Sequence, residues 1–136
     1  MDLVSIVLAT LFQYIFGMLW YSRIAVGQLW ASYLEDEDGV SEIGLKRFNP
    51  TRAKSHFIAL LSALSITIVL YAISIALAID TVQSSLTWSL GIWVGMLALP
   101  TLTEYRYAKR SLVLWAIDQG YYLFAIAGTA AIIVLL

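Results

Sequence analysis

Four stretches free of charge, each interrupted by at most one acidic residue, constrain this chain more than any other feature. Asp2 and Arg23 bracket 20 uncharged residues, Phe57 to Ile79 adds 23, Thr81 to Thr103 another 23, and Ser111 to Leu136 runs for 26 broken only by Asp118. An α-helix rises about 1.5 Å per residue, so about 20 apolar residues cross a hydrocarbon layer of about 30 Å. Each stretch is long enough to span. The expectation is an all-α integral membrane protein with four transmembrane helices over about 3–22, 50–79, 84–103 and 111–135, forming one membrane domain over 1–136. Composition agrees: charged residues make up 12% of the chain, about half the share of about 25% usual in soluble proteins. Mean hydropathy is +0.84.

The first stretch does not read as a cleaved secretory signal. Asp2 precedes it and the bulky run FGMLWYS closes it, where a signal would carry a basic start and a small-residue cleavage site. A retained helix is expected. There is no cysteine, hence no disulfide framework and no thiolate ligand.

All eight basic residues fall in two of the five connecting or terminal segments. Arg23, Lys46, Arg47, Arg52 and Lys54 lie between helices one and two, and Arg106, Lys109 and Arg110 between helices three and four. Positive segments stay in the cytoplasm, so loops 23–49 and 104–110 are expected there and both termini outside, in a cell inner membrane. Asn49-Pro50 supplies a cap and a first-turn proline for helix two. Pro100 should kink the inner end of helix three.

Loop 23–49 carries Val26, Leu29, Trp30, Tyr33 and Leu34 at the spacing of one helical face. An amphipathic helix lying on the membrane surface is expected there. The adjacent run EDEDG fails as a calcium loop, because placing Gly39 at the sixth position puts Leu34 where the first carboxylate belongs. A solvated acidic turn near Lys46 and Arg47 is expected instead.

GMLWYSRIAVGQLW at 17–30, the Asn-Pro start of helix two and AIDQGYYLF at 116–124 together resemble a small bacterial membrane family, domain of unknown function 1761. Members typically carry Gly-x-Leu-Trp-Tyr-Ser closing helix one, then Phe-Gly-x-x-Trp, and Asn-x-Gly-Tyr-His in the last helix. Here Arg23 stands where the family commonly has Pro, and Asp118 and Tyr122 where it often has Asn and His. The resemblance implies four membrane helices in a bacterial-type inner membrane, and no settled activity.

Polar residues inside the spans are the candidates for a site. Thr10, Gln13, Tyr14 and Gly17 share a stripe of helix one, and Asp118, Gln119, Tyr121 and Tyr122 cluster in helix four. A carboxylate within a membrane is costly unless hydrated, paired or protonated. Asp118 is therefore either a structural anchor, paired with Arg106 or Arg110, or part of a ligand or transport site with Gln13, Tyr14, Gln119, Tyr121 and Tyr122. Gly17, Gly91 and Gly95 are candidates for close helix packing; the last two form the small-residue pattern GIWVG. Trp20, Tyr21, Trp30, Glu104 and Arg106 read as interfacial anchors. His56 stands alone, so no metal site is expected. Nucleic-acid partners are excluded by the charge pattern, and neither catalytic residues nor a cofactor can be assigned. Membrane lipids and a second copy of the chain, pairing through Gly91 and Gly95, are the expected partners. Three functions follow: a small-molecule or ion transporter subunit built around Asp118, a non-transporting module binding lipid or a partner protein, and a membrane enzyme using Asp118 with His56.

Overall fold

The computed structural model describes residues 3–38 and 53–136. The expected Asn49-Pro50 cap and the neutralising Lys46 and Arg47 lie outside them. The described residues form helices joined by short turns, in the order α1 (Leu3–Trp20), α2 (Gly27–Asp38), α3 (Ala53–Ala76), α4 (Val82–Ile92), a π-helical turn (Trp93–Ala98), α5 (Leu99–Tyr107) and α6 (Leu112–Leu135). The helices α4 and α5 are joined end to end through the π-helical turn, giving a third span from Val82 to Tyr107. Among the described residues, four helices are thus long and apolar enough to cross a membrane.

Both described turns between spans end the preceding helix in the same way. At the first, the N–H of Ile79 reaches Ser74 O at 2.9 Å and that of Ala78 reaches Ile75 O at 3.1 Å, with Ala78 at φ 49°. At the second, Arg110 N–H reaches Tyr105 O at 2.9 Å and Lys109 N–H reaches Arg106 O at 3.2 Å, with Lys109 at φ 54°. Each is a Schellman closure, in which a left-handed residue turns the chain and satisfies the last carbonyls. Thr81 then caps α4 by accepting the N–H of Ser84 at 3.2 Å, and Ser111 caps α6 by accepting that of Val113 at 3.2 Å.

Pro100 has no N–H to offer four residues back. The helix answers just upstream with the wide turn Trp93–Ala98, where Leu99 N–H reaches Val94 O, five residues back. The disturbance expected at Pro100 is therefore a π-bulge, and the third span continues beyond the expected inner end near 103 to Tyr107.

Span four is the hub of the bundle, packing on α1, on α3 and on the third span. The bundle interior is partly polar. Ala9, Leu70, Ile126 and Ile133 form an apolar cluster, yet Ser5, Thr10, Gln13, Thr67, Ser85, Ser89, Gln119 and Thr129 are buried as well, while large aliphatic side chains cover the outside. That inversion suits a hydrocarbon solvent, where apolar residues gain nothing by leaving the surface. Aromatic rings zip α1 and the turn after it to α6: Phe16 stacks on Tyr121 at 6.0 Å, while Trp20 meets Phe124 at 5.9 Å and Tyr21 meets Tyr121 at 5.7 Å in tilted contacts.

The first loop carries a helix, α2. It docks on α6 and brings Trp30 edge-on to Tyr21 at 5.5 Å, with Ala31 buried and Leu29 exposed.

Candidate functional site

The site is built where α1 ends. Five backbone bonds fold residues 17–27 into a compact turn, among them Tyr21 N–H to Gly17 O at 3.1 Å, Val26 N–H to Trp20 O at 3.1 Å and Gly27 N–H to Ser22 O at 3.0 Å. Gly27 is obligatory in it, since a Cβ there would lie 2.1 Å from the Tyr21 carbonyl oxygen. The turn holds the Tyr21 phenol over α6.

There the phenol donates to one oxygen of Asp118 at 2.6 Å. Tyr105, near the end of α5, donates to the other at 3.0 Å. Two hydroxyls from two different spans thus grip one carboxylate of a third. The expected guanidinium partner is not what meets it: Arg110 lies over the Tyr105 ring, its guanidinium carbon 4.7 Å from the centroid, and Arg106 is exposed. The cation acts on the tyrosine that acts on the acid.

Asp118 is half-buried and stands six residues into α6, about 9 Å along its axis. Tyr21 lies just past the first span and Tyr105 in the last turn of the third, so the carboxylate is held near one end of the bundle. Burial, the Asp118 charge and the bond to it together push the Tyr21 phenol well above its ordinary value. Tyr21 therefore remains a proton donor at any physiological pH.

Indole N–H groups tie the same end together. Trp20 donates to Ile117 O at 3.1 Å, Trp93 to Gln119 O at 2.9 Å, and Trp115 to Ala98 O at 3.2 Å and Thr101 Oγ1 at 3.1 Å. Three tryptophans thereby join α6 to its neighbours on both sides. Backbone glycines make room: Gly17 lies against the Tyr121 hydroxyl and Gly120 against the Trp20 ring, each with a Cβ position only 3.1 Å from the ring system.

The remaining candidates separate. Gln13 is 1% exposed and lies deeper, its carbonyl accepting from Tyr121 and its side chain from Thr129, both at 3.4 Å. Tyr14 points elsewhere, hydrogen-bonded to His56 Nδ1 at 2.8 Å. Gln119 buries its side chain, whose Oε1 has no partner among the described residues. Tyr122 leans on the apolar cluster of Ala9 and Ile126. Glu104 is exposed. Gly91 and Gly95 have nothing within 4 Å of where a Cβ would stand.

Tyr105, Trp93 and Trp115 belong to the site although sequence reasoning gave them no partner in it. A buried indole almost always finds an acceptor, which was the available signal. The two stretches that carry the family resemblance, 17–30 and 116–124, meet face to face here.

A family model described as "Protein of unknown function (DUF1761)" matches residues 4–134. No curated protein and no solved structure matches the chain.

Proposed function

We infer the function of this chain, which belongs to the DUF1761 family of proteins of unknown function, from its own geometry: it is a membrane module that works by pairing in the bilayer plane with a second copy. The observation that carries this reading is the contrast among its glycines. Gly17, Gly120 and Gly128 are filled from within the bundle by Tyr121, Trp20 and Phe12, whereas Gly91 and Gly95 face open space. A glycine costs a helix about 1 kcal/mol relative to alanine, and in lipid its return is close approach of another backbone. The third span is also the least covered, with 11% of its most apolar 18-residue stretch buried against 39% in the fourth.

The Asp118 cluster serves this module as a clasp. Its oxygens are occupied by Tyr21 and Tyr105, which supports a structural role over a transport site. The basic end of the bundle faces the cytoplasm of a bacterial-type inner membrane in this reading.

Energy transfer between labelled copies, diluted in lipid vesicles, tests the pairing. Gly91→Leu and Gly95→Leu should weaken it by about 1–3 kcal/mol, the cost of overfilling a close contact, without loss of helicity. Equal transfer in wild type and both variants would refute it.

A further inference from the structure

At the end of the bundle opposite Asp118, two cavities lie beside the turn at Ala78. The smaller, about 20 Å³, has Ser74, Ser85 and Ser89 in its wall. That is room for one water molecule. Each of these hydroxyls already donates to a carbonyl of its own helix at 2.8 to 2.9 Å, so the space has nothing that selects a larger guest.

The larger is an open groove of about 390 Å³ between the ends of the second and fourth spans, lined by Tyr71, Ile75, Ile79, Ile133 and Val134 with Asp80. Its volume lies in the range of small-ligand sites, about 300–1,000 Å³. Most of the wall is aliphatic and one carboxylate belongs to it. Ala76 and Leu135 end the flanking spans and Val82 begins the next, so the groove opens where hydrocarbon gives way to head groups. Apolar below and anionic at the boundary, it matches a molecule with a chain and a cationic head.

Charge across the molecule sharpens the match. Arg23, Lys54, Arg106, Lys109 and Arg110 all belong to the opposite end, at the close of the first and third spans and the start of the second and fourth. Among the described residues, Asp80 is the one charged side chain at the groove end. No basic side chain among the described residues competes for it there, and a lipid with net negative charge would be repelled. A primary ammonium can donate to the carboxylate and to the Ser74 oxygen, which also lines the groove and keeps its lone pairs free by donating to Tyr71 O. We propose that this groove holds an aminoethyl phospholipid, its ammonium on Asp80 and the start of one acyl chain along Ile75, Ile79 and Ile133. The proposal rests on the groove and is independent of pairing through the third span.

Vesicles containing equal amounts of phosphatidylethanolamine and phosphatidylglycerol with matched chains provide the test, read by native mass spectrometry of lipids retained on the full chain. Wild type should retain the amine lipid in about two- to fivefold excess, the range of an exposed ion pair. Asp80→Asn should bring the ratio to that of the vesicles while the number of lipids retained stays the same. Val134→Trp, at a partly buried position on the groove wall outside the apolar cluster, should fill the groove and remove the retained lipid with Asp80 intact. Absence of any excess in wild type, an excess surviving Asp80→Asn, or one surviving Val134→Trp would each overturn the proposal; unchanged helicity and melting temperature in both variants keep these results separate from misfolding.

Discussion

Asp118 accepts a phenolic hydrogen bond on each oxygen, at 2.6 Å from Tyr21 and 3.0 Å from Tyr105. Hydrogen bonds to charged groups contribute about 1.5–3 kcal/mol in soluble proteins, but interhelical bonds in membranes average about 0.6 and reach about 1.7 kcal/mol. The charged acceptor and the short distance favour the upper membrane figure. Tyr21→Phe should therefore lower stability by about 1.5 kcal/mol in a denaturant titration in detergent, and Tyr105→Phe by less. A larger loss on Tyr105→Phe would reverse the ranking of the two bonds. Ultraviolet absorbance offers a second check. With its folded value raised, the Tyr21 phenol stabilises the fold fully below the ordinary tyrosine value of about 10, and that contribution disappears only as pH rises through the folded value. A spectrum in which Tyr21→Phe removes an early-titrating tyrosine would contradict this environment. The oddity of a carboxylate in the last span was legible in the sequence. Its partners were not, because Tyr21 is 97 residues away and a tyrosine at a span end ordinarily reads as part of the interfacial belt.

At the scale of elements, the four spans were legible because uncharged length alone sets them. Their ends were less so. Helix C-termini usually advertise themselves with glycine, yet here Ala78 and Lys109 occupy the left-handed positions, so the expected second helix ran to 79 where α3 stops at Ala76. Ala78→Gly should raise stability by about 1 kcal/mol, the lower cost of a left-handed conformation for a residue with a side chain. Thermal unfolding measures it, and a destabilised variant would contradict the Schellman reading. The π-bulge at Trp93–Ala98 was hidden for a similar reason: Pro100 announces a break but does not say how the preceding turn absorbs it. The glycines divide in the same way, since only packing distinguishes Gly128, pressed by the Phe12 ring, from Gly91 in open space.

For the whole molecule, charge and topology agree. The described basic residues gather at one end of an up-down bundle, the end where the Asp118 clasp joins the first, third and fourth spans. That end should lie in the cytoplasm: a reporter that needs the cytoplasm is expected to be active within loop 23–49 and inactive at either terminus, and activity at a terminus would reverse the orientation. Among the glycines of the described residues, Gly91 and Gly95 on the third span are the two left unfilled. The direct measurement of their purpose uses the absence of cysteine from the chain. Single cysteines placed by Trp88→Cys, three residues before Gly91 on the same face, and by Leu11→Cys and Ile68→Cys on the first and second spans would be oxidised in native membranes. A disulfide needs Cβ atoms about 3.5–4.5 Å apart. Pairing through the third span predicts covalent dimer from Trp88→Cys and little from the other two. Dimer from Leu11→Cys or Ile68→Cys with none from Trp88→Cys would contradict it.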